Sequence, residues 1–485
     1  MTILKHPDYD AMLPDWVMIS DFYKGQRYVK GKSTAYLPMT PGMVLDDLQP
    51  DKMGTAAYTN YIARAVFPDY IKEAVEVSIG LLHQKDAAIE LPPELESLRN
   101  NCSNKGESVL ELLVRINEHQ LVPGRCGLLV DMPEFVLGEV NPFIALYDAQ
   151  SIYNWDESND YVNTDKVSFV ALDESSNIRQ GMGWQFRIKS RVLKLEEGSY
   201  QQAVFEGEAI SEDVGDFITP MFKGNAPTDI PFVFVNGKDL LPDPDTPPLL
   251  GLANTVLSVY RGEADYRYTL FMQSQETLVI EGTVINPTSE ADVDAPLRVG
   301  AGSKINVTQG GKAYYIGVNS KGLSEQRLCL EADRKRAELQ TGKVIGDKSN
   351  VESGEALRVR RGSEVATLNQ IAITSARALE RCLKMIAKLK GADESLVKVS
   401  PNLNFTKVGM QGQELVNLMQ SRQLGAPLSL ESIHAYLTDK GLTTMEFLAE
   451  VAKVLEENKL GIVPDPNAAQ AGMGSVSKPN NQPPT

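Results

Sequence analysis

The sequence predicts an α+β fold in which helical blocks surround two separate runs of β text. Three observations carry this. Apolar residues recur every three to four positions over Tyr58–His83, Leu249–Phe271 and Glu355–Lys390, the helical period. The period drops to two over Lys166–Glu208. Between residues 276 and 318, short β-rich pieces alternate with Gly- and Pro-bearing turns.

Each element follows from local chemistry. Tyr58–His83 reads as helix interrupted at Pro68, whose ring cannot continue an α-helix. Gly106–Leu121 is a cleaner helix, with Glu107 and Ser108 at its start, an apolar face of Val109, Leu112, Leu113 and Ile116, and a stop at Pro123-Gly124. Gly127–Asp131 is a short buried strand. Val167–Leu172, Gln185–Val192 and Tyr200–Phe205 form an antiparallel meander with one wet face, and Ile230–Asn236 is a further strand. Leu241–Pro248 holds four prolines and ends the β text, while Asp245 or Thr246 can cap the helix that follows. That helix, Leu249–Phe271, would be roughly 35 Å long.

The second β run offers Thr277–Ile280, Leu297–Val299, Lys304–Val307 and Ala313–Ile316. Gly322–Leu339 is a very polar helix carrying Arg334, Lys335 and Arg336 near its end, and Thr341–Gly354 is a glycine-punctuated loop. Glu355–Lys390 is the longest helical pattern, with a stripe of Leu368, Ile371, Ala372, Ser375, Leu379, Cys382, Leu383, Ile386 and Leu389. Gly362 weakens it by about 1 kcal/mol relative to alanine. Gln413–Asn458 is helical, split at Gly425–Pro427 and Asp439–Gly441, with Ser429 and Thr443 or Thr444 as caps. Pro464–Thr485, rich in proline and free of aromatic residues, reads as a disordered tail.

Composition narrows the function. The 485 residues carry 48 Lys+Arg and 64 Asp+Glu, a formal net charge of −16. The chain is about three domains' worth of sequence. Its acidity excludes whole-surface gripping of phosphates, though not a protein that handles nucleic acid without holding it. Cys102, Cys126, Cys329 and Cys382 show no short spacing, so neither a disulfide framework nor a zinc ribbon is expected, and a reducing compartment fits best. His6, His83, His119 and His434 show no i,i+4 pairing, so no metal site is expected. No apolar run reaches the length of a membrane span and Met1–Asp15 does not read as a signal sequence, so a soluble, unprocessed chain is expected.

Motifs for chemistry are missing or weak. Gly31-Lys32-Ser33-Thr34 lacks the upstream glycine and the strand that a phosphate loop needs. The acidic pairs Asp243/Asp245 and Asp292/Asp294 sit in turns and do not match a calcium loop. No nucleophile elbow is present, and no catalytic residue, cofactor site or metal ligand is assigned.

The more informative observation is an arrangement. From Pro247 to Lys390 a helix, a small β insertion, a second polar helix, a Lys-bearing loop and a very long helix follow one another. Two antiparallel helices require an insertion that returns the chain close to where it left. Lys321–Arg361 also holds ten Lys/Arg against seven Asp/Glu, a local +3 within a chain of −16. A solvated helix face explains such a run; transient contact with phosphates is the sharper alternative.

Here the sequence resembles a portal protein of tailed double-stranded DNA bacteriophages, in a divergent branch of that family. Tyr260-Arg-Gly-Glu-Ala-Asp-Tyr-Arg-Tyr-Thr-Leu270 followed by Thr277-Leu-Val-Ile-Glu-Gly282 is similar to the family's helix with an Asp265-Tyr266-Arg267-like core and a strand ending in glycine. Glu352-Ser-Gly-Glu-Ala-Leu-Arg-Val-Arg360 resembles the segment opening the family's long helix, with Glu352, Ser353 and Arg358 as the matching positions and Gly354 where alanine is commoner. Gly425-Ala-Pro-Leu-Ser429 with Leu437 resembles its C-terminal helical module.

The resemblance implies a phage portal fold: a wing at 1–245, a stem helix at 246–275, a clip at 276–321, a second stem helix at 322–340, a tunnel loop at 341–354, a long wing helix at 355–394, a crown at 395–462 and a tail at 463–485. It implies a homo-oligomeric ring, a dodecamer in the family, at one capsid vertex of the virion, assembled in the host cytoplasm. Double-stranded DNA would pass through the ring during packaging and ejection. Expected partners are the terminase large subunit, a head–tail adaptor, and the major capsid and scaffolding proteins, with no membrane and no enzymatic activity. Lys343 and Lys348 are the candidate DNA-channel cations, and Arg334, Lys335 and Arg336 are either further channel contacts or intersubunit salt-bridge partners. A multidomain hydrolase or transferase with a dispersed carboxylate site, and a non-portal adaptor or minor capsid protein, are the competing readings.

Overall fold

The computed structural model describes residues 5–132, 142–157, 167–196, 198–207, 217–221, 227–273, 277–282, 307, 309–316, 321–341, 354–403, 412–439, 443 and 445–459. The fold is α+β, as expected. The chain divides into two compact units, Met1–Leu403 and Asn404–Thr485.

The first unit opens with α1 (Pro7–Lys24), capped by His6, whose Nδ1 accepts the Asp8 N–H at 3.2 Å. Gly25 at φ +85° turns the chain into α2 (Gln26–Gly31). This places Gly31-Lys32-Ser33-Thr34 after a short helix, with no strand feeding it. Helices α3 (Pro41–Asp47) and α4 (Met53–Arg64) meet at an elbow with no room for a side chain on Gly54: a Cβ there would lie 1.9 Å from the Met43 carbonyl oxygen. After a break around Pro68 comes α5 (Tyr70–Leu82), so the interruption read there separates two helices. Strand β1 (Ala88–Glu90) follows. Then α6 (Val109–Leu121) starts on a capping box, with Ser108 Oγ accepting the Glu111 N–H and Glu111 accepting the Ser108 N–H.

Strands β2 (Arg125–Asp131), β3 (Phe143–Asp148), β4 (Ile152–Glu157), β5 (Val167–Asp173), β6 (Ser176–Gln180), β7 (Gly183–Arg187), β8 (Lys189–Glu196), β9 (Ser199–Glu206) and β10 (Phe232–Asn236) build three sheets. The central one has order β10-β2-β3, all antiparallel. Its two faces belong to two cores. Leu128, Val130, Val233 and Val235 point to one, while Leu129, Phe232 and Phe234 point to the other. Burial on both faces is why this strand reads as an unbroken apolar run. The second sheet, β4-β5-β8-β9, is the expected meander plus one strand. The third is the isolated hairpin β6-β7.

Two expectations need correction here. Gln185–Val192 is not one strand: it breaks at Ile188, where Lys189 N–H turns to Ser175 Oγ at 3.1 Å and β8 begins on a different partner. The next helix begins at Leu250, so neither Asp245 nor Thr246 stands at its N-cap; Asp245 instead accepts the Lys238 N–H at 3.0 Å within the proline-rich loop.

After that loop come α7 (Leu250–Gln273), β11 (Thr277–Glu281), β12 (Lys312–Ile316), α8 (Lys321–Gln340), α9 (Gly354–Lys390) and β13 (Lys398–Ser400). The C-terminal half of α9 lies in the first core, where Leu379, Cys382, Leu383 and Ile386 are buried beside Leu112 and Ile116 of α6. β13 pairs with β1, Ile89 opposite Val399, so residues 395–403 pack with the first unit. The expected strands at Leu297–Val299 and Lys304–Val307, apart from Val307, and the tail lie outside the described residues.

The second unit holds α10 (Gly412–Gln423), α11 (Leu430–Asp439) and α12 (Phe447–Lys459), split where glycine and proline predicted. Ser429 caps α11 by accepting the Ser432 N–H at 3.0 Å. His434 and Thr443 both reach the Glu450 carboxylate at 2.6 Å and tie α11 to α12. Among the described residues, no helix is long and apolar enough to cross a membrane.

Candidate functional site

The region singled out by sequence is built on the pair α7 and α8. The chain leaves α7 along β11 and returns along the antiparallel β12, with Val279 opposite Tyr314. α8 therefore comes back along α7 in reverse. Leu330 lies against Gly262 and Asp333 against Ser258, at 3.3 Å for the latter, contacts whose numbers run in opposite senses. Val256, Val259, Tyr260 and Ala264 of α7 and Leu330 and Ala337 of α8 are buried. Gly282 closes β11 at φ +104°, a left-handed conformation that explains glycine there.

Two arginines, Arg267 of the motif and Arg334 of α8, meet at one carboxylate. Glu263 is buried, and its Oε1 accepts from Arg267 Nε at 2.5 Å while its Oε2 accepts from Arg334. One acid on α7 thus holds a guanidinium from each helix, an arrangement that charge-assisted hydrogen bonds favour. Arg334 has an ionic partner inside its own chain and keeps 42% of its side chain exposed. Arg267 finds the same partner through i,i+4 spacing. Asp265 accepts from the Tyr61 hydroxyl of α4. Burial and the Asp265 charge push the Tyr61 phenol up, so it stays a donor. Tyr61 also packs edge-on against Tyr268 with ring centroids 5.3 Å apart, and Arg64 lies 3.7 Å over the Phe271 ring. Arg261 Nε donates to the Tyr36 carbonyl at 2.8 Å. The α7–α8 pair is thereby anchored to the N-terminal helices by polar contacts with defined directions. Tyr266 is half-buried on α7.

Lys335 and Arg336 are exposed on α8. Lys343, Lys348, Glu352 and Ser353 lie outside the described residues, and of Arg358 only its place in α9 is described. The structure therefore joins Arg267 and Arg334 through Glu263, and leaves the candidate loop cations unplaced.

Sequence reading missed one basic feature. Arg377, Arg381, Lys384 and Lys388 form a row on the outward face of α9, at steps of four, three and four. Arg377 and Arg381 line a hollow of about 400 Å³ with Lys238, Asp239 and Pro242, and all four line another of about 370 Å³ together with Glu380 and Glu394. Lys384 is partly neutralised by Glu380 at 2.6 Å. The sequence already put Leu379, Cys382 and Leu383 on the apolar stripe, and their burial leaves this row looking outward.

Among the described residues, no group of three His, Cys, Asp or Glu is placed to hold a metal ion. Burial pushes the Cys102 and Cys382 thiols up to about 12 and Cys126 higher, so these are inert core residues, while Cys329 is exposed.

Residues 248–389 match a family model described as a domain of unknown function (DUF4055). The match runs from the start of α7 to the end of α9. No curated protein matches the chain. Among solved structures, the neck of a native GTA particle computed with C12 symmetry is similar at 13% identity and a TM-score of 0.38, covering 76% of this chain and 89% of that one. The neck of an empty GTA particle computed with C6 symmetry gives the same identity and TM-score, with 76% and 90% covered.

Proposed function

We propose that the chain is one subunit of a portal-like ring, a head–tail connector at a virion vertex through which double-stranded DNA passes. The observation that carries this reading is the run of α7, the β11–β12 pair, the returning α8 and the long α9, in the order that the portal resemblance calls for. Repetition of such a subunit around a closed ring would line a channel without any one subunit enclosing it. The acidity of the chain also suits passage, since tight neutralisation of phosphates would arrest a moving duplex.

In this reading the subunits number twelve. Residues 246–275 and 322–340 are the stem, 276–321 the clip that meets the terminase large subunit and later a head–tail adaptor, and 341–354 a tunnel loop. Lys343 and Lys348 touch the DNA backbone there without reading bases. The body, 1–245 with 355–394, is the wing that faces the major capsid and scaffolding proteins, and 395–462 is the crown. The chain works without a cofactor and catalyses no reaction.

Negative-stain imaging of the purified full-length protein tests the proposal. Rings with a central hole are expected. Compact monomers or dimers at all concentrations would overturn it. Lys343→Glu with Lys348→Glu should leave rings intact and alter DNA packaging or retention. Loss of rings in that variant would remove the tunnel assignment.

A further inference from the structure

The hairpin β6–β7 has an unusual surface. Every residue of both strands is exposed. Cross-strand pairing puts Arg179 opposite Trp184 and Asn177 opposite Phe186, so Trp184, Phe186 and Arg179 share one face. Trp184 is 72% exposed and Phe186 60%, with Met182 at the tip. The two-residue turn, Gly181 at φ +63° followed by Met182, is of the tight type that a twisted hairpin favours. Yet a lone two-stranded hairpin is only marginally stable in water, and aromatic residues displayed this way normally mark a contact surface. Trp184 also differs from the other two tryptophans of the chain, Trp16 and Trp155, which are buried.

A second unmatched apolar patch lies at the α3–α4 elbow. Val44, Leu45, Leu48 and Met53 are exposed there, Leu48 at 77%. Its border is net acidic, with Asp46 and Asp51 exposed beside a single exposed Lys52, whereas the aromatic face of the hairpin carries Arg179; Arg187 is on the opposite face, beside Glu206 at 3.2 Å. The two patches thus have complementary apolar surface and opposite charge, and they are different patches on one chain. Contact between unlike patches of identical subunits is head-to-tail, the kind that closes rings.

We propose that the β6–β7 hairpin of one copy docks on the α3–α4 elbow of the next, with Trp184 and Phe186 against Val44, Leu45 and Leu48 and with Arg179 facing Asp46 and Asp51. The proposal rests on the ring reading and names one of its seams.

The test uses the full chain in a Cys329→Ser background, which removes the exposed native thiol. Met182→Cys and Leu48→Cys are introduced together and singly, and assembled protein is treated with a flexible bifunctional maleimide. The double variant should give a ladder of covalent oligomers on a denaturing gel, and neither single variant should. Rings in the micrographs with no ladder would overturn the docking and leave the ring reading standing. Dimers from Met182→Cys alone would overturn it by showing hairpin against hairpin. No rings at any concentration would remove the ring reading and this seam together. As a second measurement, Trp184 emission should shift to the blue on assembly, and Trp184→Ser with Phe186→Ser should raise the concentration needed for assembly at least tenfold. Unchanged emission or unchanged assembly in a sample that forms rings would equally refute the docking.

Discussion

Replacing Arg334 with methionine isolates the clamp between α7 and α8. Glu263 is 6% exposed at its side chain, whereas Arg334 is 42% exposed. The substitution keeps a long unbranched stem against α7 but deprives Glu263 Oε2 of its donor, leaving Arg267 on Oε1. Losing a hydrogen bond to a buried charged group costs about 1.5–3 kcal/mol. Water entering the half-exposed Arg334 site can solvate the freed oxygen and screens the original pair, which lowers the expectation to about 1–2 kcal/mol. Urea unfolding of the full chain, followed by far-UV circular dichroism at a concentration below assembly, should show this loss. The decisive comparison is a double-mutant cycle with Glu263→Gln, where Arg334→Met should cost about 1 kcal/mol less than in the native background. An equal cost in both backgrounds would show that Arg334 stabilises the pair by its stem alone, and the clamp would have no energetic meaning.

Three other outcomes are expected. Gly127→Ala should destabilise by about 3 kcal/mol, because a Cβ there would lie 2.1 Å from Phe232 Cζ and 2.9 Å from Ile152 Cδ1; Phe232→Leu should recover part of the loss in the same thermal melt. Burial holds the His119 imidazole down, to about 4, so the folded state binds fewer protons than the unfolded one. Its stabilising contribution is present above about pH 6.5 and lost as pH falls towards 4, by about 2–3 kcal/mol, and His119→Gln should flatten that part of the stability profile. Arg125 is buried between the Trp155 and Phe234 rings, at 4.1 and 4.7 Å, and no hydrogen-bond partner meets its guanidinium nitrogens among the described residues. Arg125→Met should therefore be neutral or raise stability by about 1 kcal/mol, whereas a loss above about 2 kcal/mol would mean the charge has a partner.

Much of this fold was legible because long elements repeat their signal. The helices α6, α7 and α9 announce themselves through several turns of apolar spacing, and Ser108, read at the start of α6, caps it together with Glu111. Short or partnered elements were harder. β4 was missed because Asn154 and Asp156 dilute a strand whose burial depends on just Ile152 and Trp155. β13 is three residues long and exists by pairing with β1, some three hundred residues earlier in the chain. The join at Ile188 escaped because the residues around it alternate smoothly, and only the change of pairing partner separates β7 from β8. For the candidate site, Glu263 and Arg267 stand at i,i+4 spacing, a signal the sequence carries but that was not read, and nothing local to Arg334 pointed to a partner seventy-one residues away. The exposed aromatic face of β6–β7 had the same cause, since period-two text does not say whether a strand has a neighbour.

The unbroken backbone of α9 has a geometric consequence. Thirty-seven residues without a joint make a shaft about 55 Å long. From Leu368 to Ile386 its stripe is keyed into the body, so its angular position there is set. Everything from Gly354 onward to that key inherits its bearing from the count of residues between them. One extra residue near Ala366 would swing the N-terminal end by about 100°, while seven would lengthen the shaft by about 10 Å and return it almost to its original heading. The length of α9 is therefore also a compass setting, and it decides which direction the chain faces where α9 begins.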